Sequence, residues 1–151
     1  MTEPGSTELV RLEIPPLPAF VGVARVVVAS AATTADGLDD GQLEDLGIAV
    51  SEACTSAVAS QRGEDDDERV VVRCVLSVDA LEVHIEGIGS GFDSHEPVEV
   101  SGSEEQHLDD AAEQGWGLQL IRALVDDVSF STTDDGRRPA VRLLVKLRDH
   151  L

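Results

Sequence analysis

Three short stretches of this chain carry residue types that can do chemistry. In VSEACTSAV, residues 50–58, Glu52 and Ser56 stand four apart. On a helix that spacing places a carboxylate and a hydroxyl on one face, so both can point into one pocket. The carboxylate accepts hydrogen bonds and protons; the hydroxyl both donates and accepts. In EGIGSGFD, residues 86–93, Gly87, Gly89 and Gly91 alternate at the exit of an expected strand. In GWGLQLI, residues 115–121, Gly115 and Gly117 precede Leu118 at an expected helix start. Backbone N–H groups at a helix N-terminus can cradle phosphate. Each stretch also has a plainer reading. Glu52 reads equally as a helix acid facing a wet cleft, and the glycines as turn formers.

The elements that must position these residues follow from periodicity. ELVRLEI, residues 8–14, alternates as a strand, and PPLP at 15–18 ends it and starts a helix. Residues 18–34 form that helix, apolar all round, and so buried or covered by a partner. Arg25 interrupts it, as an arginine snorkelling at a helix edge would. A second helix spans 42–60, capped by Asp39 or Asp40, with Leu43, Leu46, Val50, Ala53, Ala57 and Val58 at helical spacing. Residues 69–78 and 81–86 pair as a hairpin. One face of it carries Val70, Val72, Cys74, Leu76 and Val78, then Leu81, Val83 and Ile85. The wet face carries Arg73, Glu82 and His84. Residues 93–114 show no period and read as a long, lid-like mobile loop. A helix at 116–126 and a last hairpin, VSFSTT to AVRLLVKL around an Asp-Gly turn, complete the chain. The fold class is α+β: a two-layer sandwich with helices on one face of a mostly antiparallel mixed sheet, forming one domain over 1–151.

Composition narrows the function. The 151 residues are 42% hydrophobic but 3% aromatic, so the core is aliphatic. A formal charge of -19 counts strongly against nucleic acid as a direct partner, because phosphates are repelled. The single lysine, Lys146, among many arginines marks part of this acidity as a background effect of composition. No apolar run reaches the roughly 20 residues of a membrane span. No secretory leader is evident, so no membrane and a cytoplasmic location are expected. Cys54 and Cys74 have no metal-like spacing and read as buried, reduced thiols. His84 faces solvent, and His95 and His107 fall in the long loop.

The order, spacing and context of the three stretches resemble the GHKL superfamily of histidine-kinase-like ATPases. Within it they look like the anti-sigma-factor serine kinases of the RsbW and SpoIIAB type, over nearly the whole chain. That resemblance implies roles. Glu52 matches the general base for a substrate serine. Ser56 stands where the family has an Asn that holds Mg²⁺ between the phosphates of ATP. Gly87 stands where the family has an Asp against the adenine amino group, while Gly89 and Gly91 keep the glycine frame. Gly115, Gly117 and Leu118 keep the third motif. Arg25, on the first helix, matches an arginine that meets both the sigma factor and its STAS-type antagonist. A homodimer is also implied.

The departures all weaken a nucleotide site. A hydroxyl is a poorer, shorter Mg²⁺ ligand than an Asn carbonyl. Losing a charge-assisted hydrogen bond at position 87 costs roughly 1.5–3 kcal/mol, about ten- to a hundredfold in affinity. The loop that closes over the phosphates holds Glu104, Glu105, Asp109, Asp110 and Glu113 and no Lys or Arg. The expectation is an anti-sigma-type regulator with weakened or lost ATP and Mg binding. The alternatives are an active serine kinase phosphorylating an STAS antagonist, and a GHKL-like signalling module with no sigma factor partner.

Overall fold

Aliphatic alternation and helical spacing produce the elements seen in the computed structural model, which describes residues 5–59, 69–86, 118–132 and 139–148. Strand β1 is Thr7–Ile14, and α1 is Val21–Ala32, entered through a short 3-10 turn at Pro18–Phe20. Helix α2 is Asp40–Ala59; β2 is Val70–Leu76 and β3 is Ala80–Glu86. Helix α3 is described over residues 118–124, and β4, Asp127–Thr132, and β5, Pro139–Lys146, close the order. The five strands lie in the order β1-β2-β3-β5-β4, and all four pairings are antiparallel. Helix α1 lies over β1 and β2, and α2 over β3 and its neighbours. One core joins them, with Ala24, Val28, Leu46, Val50, Val72, Leu81, Ile85, Ile121 and Leu143 all buried. This is the expected two-layer α+β architecture.

The described part of the core is aliphatic, as a low aromatic content requires. The largest fully buried side chains are Ile, Leu, Val and Cys. Both cysteines are free and buried. Burial pushes the Cys54 thiol up to about 12 and the Cys74 thiol up to about 11. A thiolate in that aliphatic interior would be unsolvated.

Two local expectations change. Val78 does not continue the apolar face of β2. It is 86% exposed, in a tight turn closed by the Ser77 N–H donating to the Ala80 carbonyl. Nor is α1 covered all round. Its core stripe is Ala24, Val28 and Ala32, while Val23 and Val26 face outward and are exposed.

The outer face of the sheet is a lattice of paired charges. Register puts Arg11, Arg73, His84 and Arg142 side by side across four strands. Like charges directly opposite are unfavourable, so each needs a diagonal acid. The Arg73 guanidinium reaches Glu8 at 3.2 Å and Glu86 at 3.8 Å. Glu82 meets His84 at 2.9 Å and Arg142 at 3.6 Å. The same face buries Val71 and Val75 to 4% and 7% exposure. The stems of these long side chains are what such a face has to cover its valines.

A clasp fixes where α2 begins. Gly37 adopts φ +101, a conformation that favours glycine. Its carbonyl accepts the Arg148 N–H at 3.0 Å. The Arg148 guanidinium reaches Asp39 at 2.9 Å. Asp39 caps α2: its Oδ1 accepts the Gln42 N–H at 2.7 Å, and Gln42 Oε1 accepts the Asp39 N–H at 3.0 Å. This is the reciprocal box that satisfies two orphan groups at a helix start. The end of β5 thereby holds the start of the helix that carries the candidate site.

Candidate functional site

Helix α2 presents two different shoulders. At 100° per residue, Gly47, Ser51, Thr55 and Val58 fall on one stripe, and Glu52 and Ser56 on another roughly 120° away. The aliphatic core stripe, including Leu46, Val50, Ala53 and Ala57, lies between them on the sheet side and locks the helix rotation. Helix packing therefore assigns each shoulder its neighbours.

The first shoulder faces α1. Between the two helices runs a groove of about 420 Å³, lined by Pro18, Val21, Gly22 and Arg25 from one side and Ser51, Thr55 and Val58 from the other. In a chain with 30 acidic residues the described lining holds none, and Arg25 is the charged group among these described residues. The Arg25 side chain is exposed and makes no ion pair among the described residues. It crosses α2 at Gly47. A Cβ placed on Gly47 would lie 3.7 Å from both Cγ and Nε of Arg25. The lone arginine of an apolar helix thus becomes a cation at the edge of an acid-free groove.

The second shoulder carries Glu52 and Ser56. The two share a face one turn apart, as their spacing predicts; Glu52 is half-buried and Ser56 is exposed. Leu118, at the first described position of α3, is half-buried. Gly87, Gly89, Gly91, Gly115 and Gly117 lie outside the described residues, as does the 93–114 loop with His95 and His107. Of the expected nucleotide site, the α2 wall and Leu118 are therefore what can be placed.

Chemistry on that wall bears on magnesium. Mg²⁺ bound with a nucleotide takes most of its oxygens from phosphates and water, with one or two from the protein. Ser56 fits such a site as a single short, uncharged ligand beside the Glu52 carboxylate. Among the described residues no group of three or more His, Cys, Asp or Glu gathers to hold a metal alone.

A family model described as the histidine kinase-like ATPase domain matches residues 14–143. Serine-protein kinase RsbW of Bacillus pumilus is 36% identical over 127 residues, covering 82% of this chain and 78% of that protein.

This chain belongs to the histidine kinase-like ATPase family, among relatives of RsbW.

The RsbW of Bacillus subtilis is 33% identical over 125 residues, covering 82% of this chain and 78% of its own length. That of Listeria monocytogenes serotype 4a is 36% identical over 124 residues, covering 80% and 78%. The match to the histidine kinase-like ATPase model runs from the end of β1 into β5, so it includes both shoulders of α2.

Sequence reasoning missed the groove shoulder of α2. Gly47, Ser51 and Thr55 read as unremarkable helix positions, and Val58 as part of the apolar stripe, until α1 is laid against them. The signal was present as i, i+4, i+8 spacing of small and hydroxyl residues facing a helix with one arginine. Only the helix–helix contact gives that spacing a meaning.

Proposed function

We propose that this chain is an anti-sigma-type regulator. It holds a sigma factor away from RNA polymerase until an STAS-type antagonist competes for it. The α1–α2 groove with Arg25 is its partner surface, and its nucleotide pocket is weakened. The observation that carries the reading is Arg25, without an ion pair among the described residues, at a groove whose described lining holds no acid, in a chain matched over 82% of its length by an RsbW relative. An exposed arginine that pairs with none of the described residues suits an anionic group on another protein, and a desolvated charge pair there is a strong contact.

The pocket would bind nucleotide through the α2 wall and the glycine stretches. When bound, Mg²⁺ would supply charge neutralisation at the phosphates. Ser56 would hold it, and Glu52 would accept the proton of a substrate hydroxyl. With Ser56 and Gly87 in place of stronger ligands, release of the sigma factor would rest on competition rather than on phosphorylation. Solubility and action in the cytoplasm, as a homodimer, go with this reading. No helix among the described residues is long and apolar enough to cross a membrane.

A second reading is favoured by one observation: Glu52 remains half-buried on the same face as Ser56. That arrangement suits an active serine kinase. Calorimetric titration with Mg-ATP and Mg-ADP separates the two. Tight binding together with serine phosphorylation of a co-encoded STAS protein would establish the kinase. Weak or absent binding supports the regulator. Affinity capture from the native cell tests the partner class; a capture holding neither a sigma factor nor an STAS protein removes it. The variant Arg25→Glu is expected to abolish sigma factor binding with an unchanged melting temperature.

A further inference from the structure

We infer that Gly47 is a positioning residue: it seats the Arg25 side chain across α2 and so keeps its charge at the groove. This rests on the reading of the groove as a partner surface.

Gly47 stands inside a twenty-residue helix, where glycine is less favourable than alanine. Its backbone does not demand glycine, since the positive-φ glycines of the described residues are Gly5 and Gly37. Close helix approach does not demand it either. Among the described residues beyond its own stretch of helix, the atoms within 4 Å of the point where its Cβ would stand are Arg25 Cγ and Nε, both at 3.7 Å, with no backbone atom of α1. Yet Gly47 is buried while Glu44 and Ile48 beside it are exposed. What covers it is the arginine stem.

The consequence is steric. A distance of 3.7 Å is ordinary contact, so alanine fits beneath Arg25. Any longer side chain needs the volume that the stem occupies. Displaced, Arg25 returns to a rotamer-rich ensemble in water, and a partner must then order it on binding. Seated against Gly47, it lies one turn from Ser51 and two from Thr55 on the groove wall.

The test uses the full chain. In the wild type, proton NMR is expected to show cross-relaxation between the Gly47 α-protons and the Arg25 side chain. Gly47→Ala keeps it and Gly47→Leu loses it. The binding probe is the purified sigma factor that affinity capture with this chain recovers. Arg25→Ala and Gly47→Leu are each expected to weaken it by about ten- to a hundredfold, the scale of one charge-assisted hydrogen bond. Gly47→Ala stays near the wild type. Arg25→Ala with Gly47→Leu is no weaker than Arg25→Ala alone, a non-additivity that a general loss of structure would not give. Gly47→Met, with melting temperatures for all variants, separates displacement from misfolding. Absence of the wild-type cross-relaxation overturns the inference. So does wild-type affinity in folded Gly47→Leu when Arg25→Ala is impaired. Wild-type affinity in Arg25→Ala overturns the partner surface itself.

Discussion

Replacing Gly37 by alanine tests the clasp that holds α2 against the sheet. A Cβ there would meet the Arg148 carbonyl oxygen at 3.0 Å, Leu147 Cβ at 3.1 Å and Arg148 N at 3.2 Å. Two of these are backbone atoms, which cannot rotate away. The φ of +101 adds strain for any L side chain, about 1–3 kcal/mol. Relief requires the end of β5 to move, which breaks the 3.0 Å bond from Arg148 N–H to the Gly37 carbonyl. That bond contributes about 1 kcal/mol. The Arg148–Asp39 pair is exposed and contributes little. The expected loss is about 2–4 kcal/mol, or a drop of roughly 5–15 °C in the unfolding midpoint for a chain of this size. Urea unfolding monitored by circular dichroism measures it. Gly22→Ala is the control: nothing lies within 4 Å of its Cβ position in helix α1, so it should stabilise by up to about 1 kcal/mol. A Gly37→Ala loss below about 0.5 kcal/mol would refute the clasp, because the close contacts and the strain would then be absent in solution.

Ser56→Asn should raise Mg-ATP affinity by titration calorimetry, by about tenfold if one good oxygen ligand is restored; no change would mean that α2 does not face a nucleotide. The buried thiols set an alkaline limit. Their folded values, about 12 for Cys54 and about 11 for Cys74, lie above the 9.0 of a solvated thiol. The unfolded chain therefore gives up these protons first. Their contribution to stability is complete below pH 9 and is lost as pH rises from there towards the folded values. The slope is about 1.4 kcal/mol per pH unit per thiol. Urea midpoints at several alkaline pH values check this, with Cys54→Ala flattening the curve. Arg73→Ala uncovers Val71 and Val75 and leaves Glu8 and Glu86 without their arginine, for a loss of about 1 kcal/mol; a neutral result would make the outer lattice irrelevant to stability.

Much of the fold was readable because its signals are local. Alternation over Val70, Val72 and Cys74, and over Leu81, Val83 and Ile85, needs only a sheet with one covered face. A cap at Asp39 or Asp40 for the second helix follows from chemistry within four residues, while the structure makes Asp39 the cap, paired with Gln42. Val78 failed the same rule, because a turn hydrogen bond between Ser77 and Ala80 outweighs alternation at a strand end. The breadth of the apolar surface on α1 predicted a helix largely buried or covered by a partner. One helix layer over a sheet covers only one stripe, so Val23 and Val26 were left outside.

By itself the sequence determined the family, the strands and helices, and the shared face of Glu52 and Ser56. Each depends on residue type at short spacing along one chain segment. The meeting of Arg25 with Gly47, the acid-free groove beside Ser51 and Thr55, the closure of Gly37 on Arg148, and the row of Arg11, Arg73, His84 and Arg142 were decided by the tertiary structure. Those contacts join segments far apart in the chain. Which residues meet depends on helix rotation, strand order and register, which are settled only when the core packs.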